Sequence, residues 1–282
     1  MEDFLAYDEI QKRLRKFFSK EKGFIEIPTQ AKRTILAACE DPKTISTFEF
    51  GGKIWPLPQT GQMVLEEILL KNPNLEGVFC LTTSYRNEPN PIPGRHDLIF
   101  PMFEFESRGN IQDLEKLERE LLTHLEFSEP AKISYEEACR DYCADILDAE
   151  HENNLCEKYN GSAILYAFPK RTHPFWNMEQ NSNGFYNKID VLLGGMETIG
   201  SAERSCEPEK MREGFMNISD GKYKQKLFSL FGEKRVLKEL DEYLSLEMFP
   251  RFGGGIGITR LYSAMKKKRL IRNEDGIFIK FD

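Results

Sequence analysis

The 282-residue chain carries 39 Lys+Arg against 46 Asp+Glu, a net charge of −7, which argues against a nucleic-acid binder working through a broadly basic surface. No apolar run reaches the length of a membrane span, and the start MEDFLAYDEIQKRLRKFF has neither the basic region nor the apolar core of a secretory signal, so no membrane attachment and a cytoplasmic location are expected. Six cysteines without a C-x-x-C pair and four scattered histidines exclude a zinc spacing and read as reduced thiols and isolated rings.

In chain order, Tyr7–Lys20 is a predicted helix with Ile10, Leu14, Phe17 and Phe18 on one face, ended by Gly23. Phe24–Pro28 is a short strand closed by proline, and Ala31–Phe50 an irregular loop over a site. Lys53–Leu57 is a strand, and Thr60 is the predicted N-cap of a helix over Gln62–Leu70. Gly77–Arg86 reads as a buried strand, Asn87–Gly94 with its three prolines as a loop, and Leu98–Glu106 as the returning strand. Leu114–Glu126 is a charged helix. Tyr135–Tyr159 is polar, mostly helical and expected to be the most peripheral part. Strands follow at Ala163–Phe168, Gly184–Leu193 and Met196–Ala202, then helix over Met211–Leu244 with a break near Gly232. Gly253–Ile258 is a glycine-rich strand leading into a helix from about Leu261, whose basic run Lys266–Arg269 reads as a solvated face. Hairpin strands with helices between them predict an α+β fold, an antiparallel sheet flanked by helices, and one domain.

Four places carry residues suited to chemistry. Arg86 ends an apolar strand, where a fixed backbone pre-aims a planar fork suited to phosphate or carboxylate oxygens; a structural pair with Glu88 or Glu104 is the competing reading. Phe100 on the returning strand could stack on a purine, with Arg95 and His96 at the loop base to reach phosphate oxygens, although core packing explains a lone Phe equally well. Arg260 follows Gly253-Gly-Gly-Ile-Gly257, and glycines weaken a strand unless something approaches its backbone closely. Finally, Gly194-Gly195 is a two-residue hairpin turn that pairs Leu192 with Glu197. Asp190 and Glu197 then become diagonal neighbours roughly 7 Å apart, a pair that repels unless a cation such as Mg²⁺ joins it or both acids are solvated. Arg204, seven residues beyond Glu197, could complement a substrate carboxylate.

With these residues the chain resembles the catalytic domain of class II aminoacyl-tRNA synthetases, in the aspartate/asparagine/lysine branch. Phe24–Pro28 is similar to the first class signature, a dimer-interface strand; Tyr85–Glu106 to the second; Gly253–Arg260 to the third. Leu57–Gln62 and the Asp190–Arg204 hairpin resemble the branch's amino-acid and Mg²⁺ segments, and Phe168-Pro169 with Pro174-Phe175 a further shared block. The resemblance implies ATP and Mg²⁺ as ligands and Arg86 and Arg260 as the catalytic cations. It implies an ATP site from Arg86, Glu88, Arg95, His96, Phe100, Gly257 and Arg260, and an amino-acid site from Glu40, Gln59, Gln62, Glu104 and Arg204. It makes Asp190 and Glu197 the metal ligands and the protein a homodimer.

Three positions depart from the branch: Leu98-Ile99-Phe100 lacks the usual glutamate before the stacking ring, Thr259 replaces an acid, and Leu65 stands where aspartyl enzymes carry lysine. The first signature begins so near the start that no room remains for an anticodon-binding barrel. The expectation is therefore a ligase that forms an acyl-adenylate and passes the acyl group to a non-tRNA acceptor, with aspartate converted to asparagine by ammonia as the named case. The alternatives are a tRNA-charging or protein- or small-molecule-aminoacylating enzyme and a non-catalytic binding module.

Overall fold

A computed structural model describes residues 3–38 and 41–271. Ten strands are β1 (Ile25–Glu26), β2 (Thr47–Phe50), β3 (Lys53–Pro56), β4 (Gly77–Tyr85), β5 (Ile99–Arg108), β6 (Ala131–Ser134), β7 (Ser162–Phe168), β8 (Tyr186–Leu193), β9 (Met196–Arg204) and β10 (Arg251–Gly257) among the described residues. The α-helices among them are α1 (Phe4–Arg15), α2 (Gln62–Lys71), α3 (Ile111–His124), α4 (Tyr135–Tyr142), α5 (Ala149–Lys158), α6 (Pro208–Asn217), α7 (Lys222–Phe231), α8 (Glu233–Leu244) and α9 (Ile258–Lys267). Eight strands form one sheet in the order β1-β4-β5-β10-β9-β8-β7-β6, and β2 and β3 form a separate hairpin. The interior pairs are antiparallel, as the hairpin pattern predicts, while both edge pairs, β1 with β4 and β6 with β7, are parallel. The fold is α+β, a mixed sheet flanked by helices.

Side chains alternate across the strands, so each strand serves two environments. Phe79, Phe103 and Phe105 point to one face, where they meet α1, α3 and α9 in the main apolar core. The end of α1 widens into a π-type turn over Lys16–Glu21, and this lets the successive residues Phe17 and Phe18 both be buried. The Phe18 ring then lies tilted against those of Phe103 and Phe105, with centroids 4.9 Å and 5.0 Å away. The opposite face carries Thr82, Glu104, Glu106, Arg204 and Arg251, all buried. A second core of Trp176, Phe215, Tyr223 and Leu240 joins α6–α8 beside that polar face.

Several boundaries shift from the expected ones. Thr60 is not the N-cap; Gly61 is, and the Thr60 hydroxyl instead receives the Gln62 amide and donates to Glu104. The basic run Lys266–Arg269 is exposed, as expected of a solvated face, and the Lys267 and Lys268 ammonium groups also donate to the carbonyls of Gly194 (2.5 Å) and Asn160 (2.7 Å). No helix among the described residues is long and apolar enough to cross a membrane.

On the apolar side, Glu118 of α3 is fully buried. One carboxyl oxygen accepts from the Ser201 hydroxyl at 2.6 Å, and the other has no hydrogen-bond partner among the described residues. Burial pushes this carboxyl up to about 8 against the pull of Ser201. It therefore keeps its proton in the folded chain and loses it in the unfolded chain above the ordinary value of 4.5. The unfolded state binds fewer protons through that window, so this group's contribution to stability falls as pH rises from about 4.5 to about 8. Glu118→Gln is expected to be more stable than the parent by on the order of 2–3 kcal/mol at pH 7.5. Urea unfolding of both proteins from pH 5 to 8 checks this: a constant stability difference across the range removes the assignment.

Candidate functional site

A cavity of about 400 Å³ opens over the polar face of the central strands, within the range of small-molecule sites. Its floor follows from register. Glu104 on β5 pairs with Gly255 on β10, Gly255 with Gly200 on β9, and Gly200 with Asp190 on β8. Two carboxyl side chains thus bracket a stretch of bare backbone. The glycines of β10 divide by cause. A Cβ on Gly253 would stand 2.2 Å from the Glu106 carboxyl, so that position is closed by packing. A Cβ on Gly255 would meet nothing nearer than Met102 Sδ at 3.3 Å, so that position leaves the floor open to a flat ligand.

Cations stand around this floor. Arg86 follows β4, and its amide donates to the Leu98 carbonyl at 2.8 Å, which closes the mouth of the β4–β5 hairpin. Its guanidinium carbon lies 5.9 Å from the centre of the Phe100 ring. Arg260 sits in the first turn of α9 and lines the cavity with Gly257 and Thr259. It donates to the Glu197 carbonyl at 2.7 Å and lies 3.9 Å from the Glu197 carboxylate. Arg95 forms a 2.5 Å ion pair with Glu152 of α5.

The acids are shaped by these neighbours. An extra residue, Thr198, bulges β9 between the Leu192–Glu197 and Val191–Ile199 pairs. Glu197, Thr198 and Gly200 all line the cavity as a result. Burial works against the charge of Glu197, but Lys188, Arg260, Arg86 and Arg95 outweigh it and hold the carboxyl below its ordinary value. Burial pushes Asp190 up, Lys188 opposes this, and the Glu197 charge adds to the rise. Glu104 accepts from the Gly61 amide at 2.7 Å and the Thr82 hydroxyl at 3.1 Å, as well as from Thr60. Burial still raises its carboxyl above the usual range.

A family model described as tRNA synthetases class II (D, K and N) matches residues 2–274. The chain belongs to that family. It is 26% identical over 277 residues to the asparagine–tRNA ligase of Pyrococcus furiosus, which covers 84% of this chain and 59% of that protein. The asparagine–tRNA ligase of Pyrococcus horikoshii is 26% identical over 278 residues, with the same coverage of 84% and 59%. Among solved structures, asparaginyl-tRNA synthetase from P. horikoshii complexed with asparaginyl-adenylate superposes with a TM-score of 0.74 at 21% identity, over 95% of this chain and 66% of that one. The asparaginyl-tRNA synthetase of Entamoeba histolytica gives 0.72 at 18% identity, over 92% and 63%. These likenesses speak for the fold. The chain spans 59% of the length of the curated relatives it matches.

Most residues singled out from the family resemblance meet in the one cavity: Arg86, Glu88, Arg95, His96, Phe100, Gly257 and Arg260 line it, as do Gln62, Glu104 and Glu197. Glu40 lies outside the described residues. Gln59 is displaced from its expected role. It is fully buried, and its amide donates to the Thr44 carbonyl at 3.1 Å and hydroxyl at 2.8 Å. Arg204 does not line the cavity either. It lies beneath the floor, 3% exposed, and donates to Glu106 at 2.6 Å. Asp190 and Glu197 do converge, because a Cβ on Gly200 would stand 2.6 Å from one and 3.7 Å from the other. They do not form an open Mg²⁺ site, since both Asp190 oxygens accept from the Lys188 ammonium.

Two site residues escaped the sequence. Lys188 stands two positions before Asp190 on the same strand face, a signal that period-two alternation could have shown. Glu152 lies in the segment taken as peripheral. Its carboxylate reaches Arg95 and also accepts the Glu197 amide at 3.0 Å.

Because Arg204 pairs with Glu106 and stands 3.8 Å from Glu66, its removal strands buried negative charge. Arg204→Met is expected to cost about 3–5 kcal/mol in denaturant unfolding. Parental stability in that variant would return the guanidinium to a ligand-facing role.

Proposed function

We propose that this chain activates an amino acid with ATP. A carboxylate oxygen of the amino acid attacks the α-phosphorus, the bond from that phosphorus to the bridging oxygen breaks, and pyrophosphate leaves with the electron pair. The product is an aminoacyl-adenylate. The observation that carries this reading is the convergence of Arg86, Phe100 and Arg260 over the glycine floor of one cavity. Phe100 offers a face for adenine. Arg86 stands beside it to hold the α-phosphate and the attacking carboxylate, and Arg260 approaches from β10's end with the helix N-terminus behind it. Fixed cations aimed at a phosphate where charge builds are a large source of rate enhancement. Mg²⁺ is taken as the companion of the triphosphate and is assigned no ligand at Asp190.

The side chain selected is a carboxamide. The amino-acid end of the cavity presents Thr60, Gln62 and the acceptor-rich Glu104. The cation that could have met an aspartate carboxylate, Arg204, is spent on Glu106. Leu65, at the position read as lysine in aspartyl enzymes, is wholly buried against Leu69 and Val78. An asparagine amide donates to such a lining, whereas a carboxylate would face Glu104. The relatives named as asparagine–tRNA ligases support asparagine and make a tRNA the first acceptor to test. Ammonia-dependent conversion of aspartate is the second reading; the net charge of −7 favours an acceptor other than a long phosphate backbone. β1 is an edge strand with Ile25 47% exposed, and pairing of two copies there gives the proposed homodimer.

ATP–pyrophosphate exchange measured with each amino acid in turn tests the proposal. Exchange is expected with asparagine above all others, and Arg86→Ala is expected to lose it by about 10²–10³-fold with its circular dichroism unchanged. Exchange with none of them would sink the activation reading, and exchange with aspartate alone, followed by ammonia-dependent AMP release, would move it to the second. A monomeric mass at micromolar concentration would remove the dimer.

A further inference from the structure

Asp190 and Glu197 bring two carboxylates to one point of the cavity wall, and such a pair requires positive charge. The chain supplies that charge itself. Lys188 precedes Asp190 by two residues on β8 and therefore shares its face. Its ammonium donates to both Asp190 oxygens. The same ammonium stands 3.9 Å from the centre of the Phe168 ring on β7, close enough for a cation–π contact. The two side chains of the pair are 19% and 10% exposed, and Lys188 lines the cavity. A carboxylate on one side and an aromatic face on the other make a built seat for one cation.

The surroundings close that seat to a divalent ion. Gly200, directly opposite Asp190, offers no side-chain oxygen, and a Cβ there would stand 2.6 Å from Glu197 Oε1. The remaining nearby acid, Glu152, is committed to Arg95 and to the Glu197 amide. Mg²⁺ is bound through one or two carboxylates together with waters and phosphate oxygens, and here it would meet an ammonium already in place on both Asp190 oxygens.

We propose that Lys188 is the resident cation of the Asp190–Glu197 pair, occupying the place of a protein-bound divalent ion and presenting its ammonium to the phosphates of a nucleotide in the cavity. The phosphate half of this inference rests on the activation reading above; the occupancy half does not. Lys188 is a fixed point charge at the edge of the glycine floor, opposite Glu104. It complements Arg86 and Arg260 without needing a metal to be recruited at that edge.

Manganese(II), counted by its electron paramagnetic resonance signal in nucleotide-free protein, tests the occupancy. The parent and Lys188→Arg are expected to hold no Mn²⁺ at the site, whereas Lys188→Ala is expected to gain one ion and to lose it again when Asp190→Asn is added. Mn²⁺ should also raise the unfolding temperature of Lys188→Ala but not that of the parent, so a destabilised variant remains informative. An Asp190-dependent Mn²⁺ in the parent, or no gain in Lys188→Ala by either measure, would overturn the proposal. In EDTA, Lys188→Ala is expected to bind ATP about tenfold more weakly than the parent. Equal affinity would overturn the phosphate half. If the parent binds no ATP with Mg²⁺ or without it, the activation reading fails while the Mn²⁺ result still decides the occupancy.

Discussion

The structure hangs on a layer of buried charge under the cavity floor. Arg251 and Glu66 are wholly buried and meet at 2.8 Å, and Arg204 meets Glu106 at 2.6 Å. Tyr243 of α8 donates to Glu66 at 2.6 Å and accepts from Arg251 at 2.6 Å, and Asn177 and Gln62 each donate to Glu66 at 2.8 Å. These contacts tie α2, α8, β5, β9 and β10 together with directional bonds. An apolar layer of the same volume would fill the space equally well, since buried ion pairs often contribute little net stability. Their effect here is geometric. Burial raises the Glu66 carboxyl, yet Arg251 and Arg204 overcome it and keep the group ionised, so each partner has one arrangement that leaves no charge stranded. The glycine floor inherits that rigidity because Gly253 and Gly255 sit in the same strand as Arg251.

A second consequence concerns the cavity's own charges. Arg95 is held by Glu152, Arg260 by Glu197, and Lys188 by Asp190. Each cation thus faces the cavity while already compensated by an acid on the wall. On the proposed reading, an arriving phosphate would exchange partners with these pairs instead of entering an uncompensated field. The arrangement keeps several positive groups at fixed positions without the mutual repulsion that would push them apart, and it limits the reorganisation left for the reacting state. It also gives α5 a role that its polar, surface-like sequence conceals, because Glu152 joins that helix to both Arg95 and the bulged strand.

The parts of the site that were legible in the sequence are those whose logic is local. The Arg86–Phe100 hairpin, the glycine strand ending at Arg260 and the Gly194-Gly195 turn each announce themselves within a few residues, and each lies where its pattern places it. The Leu192–Glu197 pairing follows from the turn alone. What local pattern cannot show is which partner a buried polar group chooses. Arg204 looked ligand-facing because the strand points it to the correct face, but Glu106, on β5 and 98 positions earlier, claims it first. Gln59 was misplaced for the same reason: Thr44 reaches it from a loop that carries no periodic signal. The Thr198 bulge is a property of the β8–β9 pairing and no glycine or proline stands at the bulged position to mark it.

Lys188 differs from these cases, since its relation to Asp190 was readable and only its meaning was not. A lysine two residues from an aspartate on a strand is ordinarily a surface pair worth little. Its weight comes from Phe168, which arrives on the neighbouring strand after a register shift between Tyr166 and Phe168, and from Gly200, whose missing side chain leaves room for the Glu197 carboxylate beside the pair. Both are tertiary facts. The same two facts decide between a cation carried by the chain and one taken from solution. A seat with one aromatic wall and one carboxylate suits a monovalent ammonium, while a divalent ion would need oxygen on the side where the ring now stands.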